Sequence, residues 1–169
     1  MERQGAPESL KQATLETLGC VCEEVSYEDL EQDQVNAVLT AVVQGMTQPE
    51  HSFEVRLAAV KSLYNALDFA QSNFENDNKS NYIMKVVCEA AVSKEVEIRQ
   101  AAFECLVSVS SLYYEILEPY MQILFTLTAN AVRDMRSPSP FKLLNSGALF
   151  AMKRLKYRKN MVEVMLGAL

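Results

Sequence analysis

The chain has 169 residues, of which 49% are hydrophobic, and its formal net charge is −6. Residues 1–135 hold nine basic and 21 acidic side chains, whereas residues 136–169 hold seven basic and one acidic. This acidic body argues against nucleic acid as the main partner, because phosphate binding depends on clustered basic side chains. No apolar run reaches the roughly 18 residues of a membrane span, and the N-terminal MERQGAPES lacks a signal-peptide core, so we expect a soluble intracellular protein.

Residues 10–46 are predicted to form two amphipathic helices. The first covers Leu10–Val25, with Ser9 as its expected N-cap. The second covers Leu30–Met46 and ends before Pro49. Its apolar side chains follow the i, i+3, i+4 and i+7 spacing of a buried helix face; they are Val35, Val38, Leu39, Val42, Val43 and Met46.

The next predicted segments are a long helix, a polar loop and a second pair of helices. A helix from Phe53 to about Phe74 carries the apolar stripe Val55, Ala58, Ala59, Leu63, Leu67 and Ala70. The polar stretch Asn73–Ser80 is predicted as a loop with cap-forming residues. Tyr82–Val92 and Glu95–Tyr114 then predict a second helix pair.

A last helix is predicted over Glu115–Met135. Pro119 falls within its first turns, where proline is tolerated. Its apolar face is expected to consist of Ile116, Tyr120, Ile123, Leu124, Leu127 and Ala131. The sequence Ser137-Pro138-Ser139-Pro140 then breaks the pattern, and residues 141–169 are basic and unlike any earlier helix.

Two of the predicted helices contain the same pattern, EVRLAAVKSLYNAL from Glu54 and EIRQAAFECLVSVS from Glu97. A weaker copy begins at Lys11. A period of about 40 to 47 residues with two helices per unit is typical of HEAT or armadillo repeats. We therefore predict an all-α fold, a right-handed α-solenoid of helix pairs.

This periodicity also predicts the domain organisation. Residues 1–9 form an N-terminal extension, and residues 10–135 form the HEAT-repeat array. The array contains one lone inner helix, two full repeats and one first helix, so the chain begins within a solenoid. Residues 136–169 form a basic, atypical tail.

The cysteines and the single histidine predict no metal site. Cys20 and Cys22 lie two residues apart on a helix and point to nearly opposite sides, and His51 falls in a polar loop. Cys20, Cys22, Cys88 and Cys105 are expected to be small buried hydrophobes in a reducing compartment. With no cofactor motif and no catalytic constellation in the sequence, we do not expect an enzyme.

Several segments of the chain resemble the importin-β (karyopherin-β) family, most closely its plant form. They include LKQATLETLGCVCEEV from Leu10, YNALDFAQSNF from Tyr64 and VEIRQAAFECLVSVSSLYYE from Val96. The resemblance runs in order over residues 10–135 and corresponds to the N-terminal third of that much longer family. It implies a nuclear transport receptor, in the cytoplasm and the nucleus, that acts in protein import.

The resemblance implies a site for phenylalanine-glycine (FG) repeats of nucleoporins, between the first helices of adjacent repeats. Carried over by position, its residues are Leu39, Thr40, Val43, Tyr82 and Ile83. The family commonly has an acidic residue where this chain has Lys79, a difference at the rim of the groove. Ran GTPase and importin-α or cargo are further partners of the full-length family, and most of their surfaces are expected to lie outside this chain. The alternative is that Leu39, Val43 and Ile83 are plain core residues.

Other charged residues have simpler interpretations. Arg56 and Arg99 recur at one repeat position and are predicted to form a structural ladder between inner helices. The acidic patches Glu23-Glu24, Glu28-Asp29 and Glu31-Gln32-Asp33 suit either a basic partner or a solvated loop.

The tail gives rise to a separate hypothesis. When the codons of 136–163 are read one base out of phase, synonymous codons can be chosen that encode an acidic amphipathic helix like that of the family. Residues from about Arg136 onward are therefore predicted to be an out-of-frame translation, in which case the basic run Lys153–Lys159 has no selected role. An in-frame, spliced transcript encoding Phe141–Leu169 would rule this out.

The function predicted from the sequence is thus that of an importin-β-like transport receptor segment that binds FG-nucleoporins. Two alternatives stay open: a generic HEAT-repeat scaffold or adaptor, and a truncated product without independent function. FG-peptide binding distinguishes the first alternative, because a static scaffold should show none.

Overall fold

The computed structural model describes residues 6–47 and 51–133, and these residues form helices, turns and short loops without any strand. Three short 3-10 turns, Tyr27–Asp29, Leu67–Phe69 and Tyr114–Tyr120, lie between the helices. The helices are α1 (Glu8–Glu24), α2 (Gln32–Thr47), α3 (Phe53–Ala66), α4 (Gln71–Phe74), α5 (Asp77–Ala90), α6 (Val96–Leu112) and α7 (Met121–Arg133).

The long helices pack in two layers. Helices α1, α3 and α6 lie side by side and form what we call the inner layer. Helices α2, α5 and α7 form the outer layer, in which α2 packs against α3 and α5 against α6. This is an α-solenoid of helix pairs, as the repeat predicts, and each unit buries its apolar face against the next.

The predicted stripe on α3 forms the centre of the core. Its members Val55, Ala58, Ala59, Leu63, Leu67 and Ala70 are each 4% exposed or less. Because α3 touches α1, α2 and α6, its stripe has to be covered on several sides, and small residues allow the neighbouring helices to approach.

Gly19 allows α1 and α3 to pack closely against each other. A Cβ added at Gly19 on α1 would lie 2.7 Å from Oγ of Ser62 on α3. The Ser62 hydroxyl also lies 2.6 Å from the carbonyl oxygen of Leu15, and Nδ2 of Asn65 donates to the carbonyl of Gly19 at 3.1 Å. Helices α1 and α3 are therefore joined by side-chain to backbone hydrogen bonds as well as by apolar packing.

The prediction of one continuous helix from Phe53 to Phe74 is wrong. α3 ends at Ala66, and the chain turns through Leu67–Phe69 into α4. The turn buries Phe69 and Phe74, and the Tyr113 hydroxyl donates to the Leu67 carbonyl. Tyr113 also stacks on Phe74, with ring centroids 4.3 Å apart, so a residue from the end of α6 stabilises the break.

The start of the second pair also differs from the prediction. The predicted loop Asn73–Ser80 is largely helical, and α5 begins at Asp77 rather than Tyr82. The Asn76 side chain accepts a hydrogen bond from the Lys79 backbone N–H at 3.2 Å and caps this helix. Residues 75–79 of this stretch are exposed, whereas Asn73, Phe74 and Ser80 are buried.

Helix α1 likewise begins earlier than predicted. Its first residue is Glu8, after Pro7, so Ser9 lies inside the helix and is not the N-cap. Helix α2 begins two residues after the predicted Leu30, because the segment before it forms a 3-10 turn.

On α7 the predicted apolar face is only partly buried. The helix begins at Met121 and not at the predicted Glu115, and Tyr114–Tyr120, with Pro119, forms a 3-10 turn before it. Leu127 is buried, and Leu124 and Tyr120 pack against the core. Ile123 is 49% exposed, contrary to the prediction, and the burial of Ala131 lies outside the described residues. No further helix among the described residues covers this side of α7. The tail from residue 134 onward, with the out-of-frame hypothesis, also lies outside them.

The prediction that all four cysteines are buried needs correction, and His51 has surroundings that its sequence position does not indicate. Cys20 is exposed rather than buried, whereas Cys22 and Cys105 are buried and Cys88 is half-buried. His51 lies in a loop but is buried, with Nδ1 3.4 Å from Oε1 of Glu8 and 3.4 Å from Nζ of Lys11. Within residues 6–47 and 51–133, no helix is long and apolar enough to cross a membrane, and no His, Cys, Asp or Glu cluster could hold a metal.

Candidate binding surface between α2 and α5

The five residues carried over from the family lie on two helices that pack side by side in the outer layer, α2 and α5. Leu39, Val43 and Ile83 are 4 to 5% exposed and belong to the hydrophobic core. Thr40 and Tyr82 are exposed, Tyr82 by 53%. The structure thus divides the predicted site into a buried floor of three residues and an accessible surface of two.

A polar cluster not predicted from the sequence joins α2 to α4 and to the start of α5. Oδ1 of Asn36 on α2 accepts hydrogen bonds from Nδ2 of Asn73 at 2.8 Å and from Nζ of Lys79 at 3.1 Å. Gln32 contributes Nε2, 2.9 Å from Oδ1 of Asn73. We call Gln32, Asn36, Asn73 and Lys79 the amide cluster.

The amide cluster ties α2 to α4 through Asn73 and to the first turn of α5 through Lys79. Asn73 is 3% exposed, so its amide must be satisfied by protein groups, and Gln32 and Asn36 supply them. The only signal in the sequence was the i, i+4 spacing of Gln32 and Asn36 on one helix face. Lys79, noted as a departure from the family, takes part in this contact.

The basic residues at the repeated position reach the loops before inner helices. Nη2 of Arg56 on α3 lies 3.1 Å from Oε1 of Glu95, the N-cap residue of α6. Nη1 of Arg99 donates to the carbonyls of Ser93 and Lys94, at 2.8 Å each. Lys11, from the weaker copy, contacts Oε1 of Glu8 at 2.7 Å.

Two carboxylates at the starts of inner helices, Glu8 of α1 and the N-cap Glu95 of α6, have lowered pKa values. A hydrogen bond from Lys11, together with the Ser52 backbone N–H, lowers the pKa of Glu8 from 4.5 to about 2. The Ser93 hydroxyl and the Arg56 guanidinium lower the pKa of Glu95 from 4.5 to about 2. Both carboxylates therefore favour the folded state in their ionised form.

The inner layer has an open cleft between α1 and α3. It is lined by polar and apolar side chains that include Glu16, Cys20, Phe53 and Lys61. None of the residues predicted for the FG site lines it. The acidic residues Glu23, Glu24, Glu28, Asp29, Glu31 and Asp33 are all exposed.

The chain is similar to known proteins both in sequence and in structure, although no family model matches it. It is 62% identical over 128 residues to importin subunit beta-1 of Arabidopsis thaliana, a match covering 76% of this chain and 15% of the relative. A solved structure of yeast importin-β (Kap95p) superposes with a TM-score of 0.75 at 34% identity, covering 98% of this chain and 19% of that one. The chain belongs to the importin-β family.

Two further importin-β structures were solved with partners. A complex of Kap95 with Nup1 superposes with a TM-score of 0.73 at 35% identity, covering 96% of this chain and 18% of the other. A structure of Kap95p with RanGDP superposes with a TM-score of 0.70 at 34% identity, covering 96% and 17%. Importin-β proteins are nuclear transport receptors and not enzymes, in agreement with the expectation for this chain.

Proposed function

We propose that this importin-β chain binds FG segments of nucleoporins on the surface between α2 and α5, as part of protein import into the nucleus. The observation that carries the proposal is the position of Tyr82 and Thr40. Both are exposed, and each lies about one helical turn after a member of the Asn36–Lys79 hydrogen bond, which joins α2 to α5. The relative solved with Nup1 supports a nucleoporin as the ligand.

The exposed area supports a weak contact with a single phenylalanine. The floor residues are already buried, so most of the surface that a ligand ring covers must come from Tyr82 and Thr40. Covering half a tyrosine side chain, about 100 Å², is worth about 2.5 kcal/mol. This is less than the roughly 4 kcal/mol of a millimolar complex, so useful affinity requires several weak contacts in a repetitive ligand.

The burial of Ile83 decides which variants can test the proposal. Ile83→Asp would place a carboxylate in the core, because the side chain is 4% exposed, and lost binding could then follow from unfolding. Variants at Tyr82 and Thr40 change the accessible surface and leave the floor intact.

NMR titration of the full chain with a short FG peptide tests the proposal directly. We expect the largest shift changes at the backbone amides of Thr40 and Tyr82, with small changes along the inner-layer cleft at Glu16 and Lys61. Shifts concentrated on the inner layer, or no shifts up to about 20 mM peptide, roughly the dissociation constant that 2.5 kcal/mol gives, would contradict the proposed site.

The other partners implied by the family have a weaker basis in this chain. The chain spans 15% of the length of the Arabidopsis relative, so a surface built from many repeats cannot be assembled from it alone. We propose that Ran and importin-α or cargo contact longer arrays of this family, and that shuttling between cytoplasm and nucleus follows from nucleoporin binding.

We propose a structural role for Arg56 and Arg99. Each guanidinium contacts groups in the loop that precedes α6, and Arg56 does so from the neighbouring inner helix. The Arg56 contact supports a ladder that links successive repeats, whereas the Arg99 contacts brace the start of its own helix.

A further inference from the structure

Two lysines lie three residues from Tyr82 on α5, Lys79 before it and Lys85 after it, and Lys85 lies 3.9 Å from the Glu89 carboxylate. Residues 34–47 of α2 contain no charged side chain. Tyr82 follows Lys79 by three residues and lies on the same side of α5. Thr40 follows Asn36 by one turn, and its hydroxyl donates to the Asn36 carbonyl at 2.7 Å. Lys79 and Asn36 therefore lie one helical turn from Tyr82 and Thr40.

The ammonium group of Lys79 is held in place without being neutralised. Its partner is Oδ1 of Asn36, an uncharged group that Asn73 in turn fixes. Within the part of the chain that the structure describes, Lys79 has no ion pair, whereas Lys85 on the same helix lies 3.9 Å from Glu89. An ammonium group has three N–H donors, so Lys79 can bind a ligand carboxylate while it keeps its bond to Asn36.

We propose that Lys79 makes this surface selective for FG segments that carry an aspartate or glutamate next to the phenylalanine. The inference rests on the proposed function and adds the charge of the preferred ligand. With the phenyl ring on Tyr82, an adjacent acidic residue reaches Lys79, one turn away.

The overall charge of the chain favours basic rather than acidic peptides. A net charge of −6 repels acidic peptides, but at physiological salt such repulsion is screened beyond about 8 Å. The acidic residues of these two helices nearest to Lys79, Asp33 and Asp77, lie in the first turns, further from Tyr82 than Lys79 is. The local ammonium group therefore decides the preference. An exposed charge pair of this kind changes affinity by about two- to fivefold.

The test uses three FG peptides that differ only in the residue beside phenylalanine, which is Asp, Asn or Lys. Their dissociation constants are measured by fluorescence anisotropy against the wild-type chain and the Lys79→Glu and Lys79→Met variants. Lys61→Glu on α3 is the matched control, because it makes the same charge change on the inner layer.

We expect the wild-type chain and Lys61→Glu to bind the Asp peptide about two- to fivefold more tightly than the Asn peptide, and the Lys peptide least. Lys79→Met should bind all three peptides nearly equally, and Lys79→Glu should reverse the order. Raising the salt concentration to 0.5 M should reduce the differences. Lys79→Met keeps an unbranched apolar side chain and removes the charge, so it tests the selectivity even if Lys79→Glu fails to fold.

Equal binding of the three peptides by the wild-type chain would overturn the selectivity while the FG site stands. A preference for the Lys peptide, or one that survives Lys79→Met, would do the same. No binding of any peptide to the wild-type chain would overturn the proposed function and this inference together.

Discussion

Gly45 on α2 lies directly against Ala59 on α3, and a Cβ added at Gly45 would stand 2.9 Å from Cβ of Ala59. The same added atom would lie 2.9 Å from Cδ1 of Leu15 on α1. Three helices from two repeats therefore meet at a point with no room for a methyl group. The lack of a side chain at this residue sets the spacing of the two layers.

Gly45→Ala should destabilise the chain by about 1–3 kcal/mol through overpacking. The helix propensity of alanine offsets about 1 kcal/mol of this cost, so the net loss is at the low end. Urea denaturation measures it as a lower midpoint with an unchanged slope. Because Ala59→Gly removes one of the two clashing atoms, it should cost less in the Gly45→Ala variant than in the wild type. An equal cost of Ala59→Gly in both backgrounds would contradict this packing.

Asn73→Ala should remove the centre of the amide cluster. It takes away the donor to Asn36 and the acceptor for Gln32, at a site that is 3% exposed. The expected loss is about 1–3 kcal/mol in the free energy of unfolding. Asn78→Ala, at an exposed asparagine in the first turn of α5, is the matched control and should cost far less. Equal effects of the two substitutions would show that the hydrogen bonds of Asn73 do not hold α2 and α4 together.

The lowered pKa of Glu95 predicts that the folded chain loses stability at acid pH. The pKa of Glu95 is about 2 in the folded chain, below the ordinary value of 4.5. Between these pH values, the Glu95 carboxylate binds fewer protons in the folded chain than in the unfolded chain. The stabilisation is fully present above about pH 4.5 and is lost as the pH falls toward 2. Glu95→Gln should flatten the fall in melting temperature over that range, although Glu8 still contributes to it.

Glu97→Gln, at an exposed neighbour on α6, is the control for that measurement and should keep the wild-type pH dependence. If Glu95→Gln and Glu97→Gln give superimposable curves, the contacts of Glu95 with Ser93 and Arg56 do not stabilise the folded state.

The cysteines should differ widely in their reaction with a thiol reagent. Cys20 is exposed, whereas burial raises the pKa of the Cys105 thiol and that of Cys88, the latter to about 11. The native chain at pH 8 should therefore show one fast phase, and Cys20→Ser should remove it. Cys105 should react only in denaturant. A fast phase that persists in Cys20→Ser would place a different thiol at the surface.

The sequence alone was sufficient to predict the helix pairs and the buried stripe of α3, because helical spacing and the repeat both indicate them. Features set by residues distant in the chain could not be found this way. The break after Ala66 depends on Tyr113, and the burial of His51 depends on Glu8 and Lys11. At the candidate site, the resemblance identified Leu39 and Ile83 together with Thr40 and Tyr82, but the structure was needed to show which of them a ligand can reach.

The most direct test of the nucleoporin site compares two exposed tyrosines on opposite layers. Tyr82 on α5 is 53% exposed, and Tyr64 on α3 is 47% exposed. Tyr82→Ser and Tyr64→Ser therefore remove similar amounts of apolar surface, and an FG peptide is titrated against each folded variant and the wild-type chain by fluorescence anisotropy. We predict that Tyr82→Ser weakens binding by at least about tenfold and that Tyr64→Ser leaves it unchanged. Unchanged binding by Tyr82→Ser, or an equal loss in both variants, would contradict a nucleoporin site between α2 and α5.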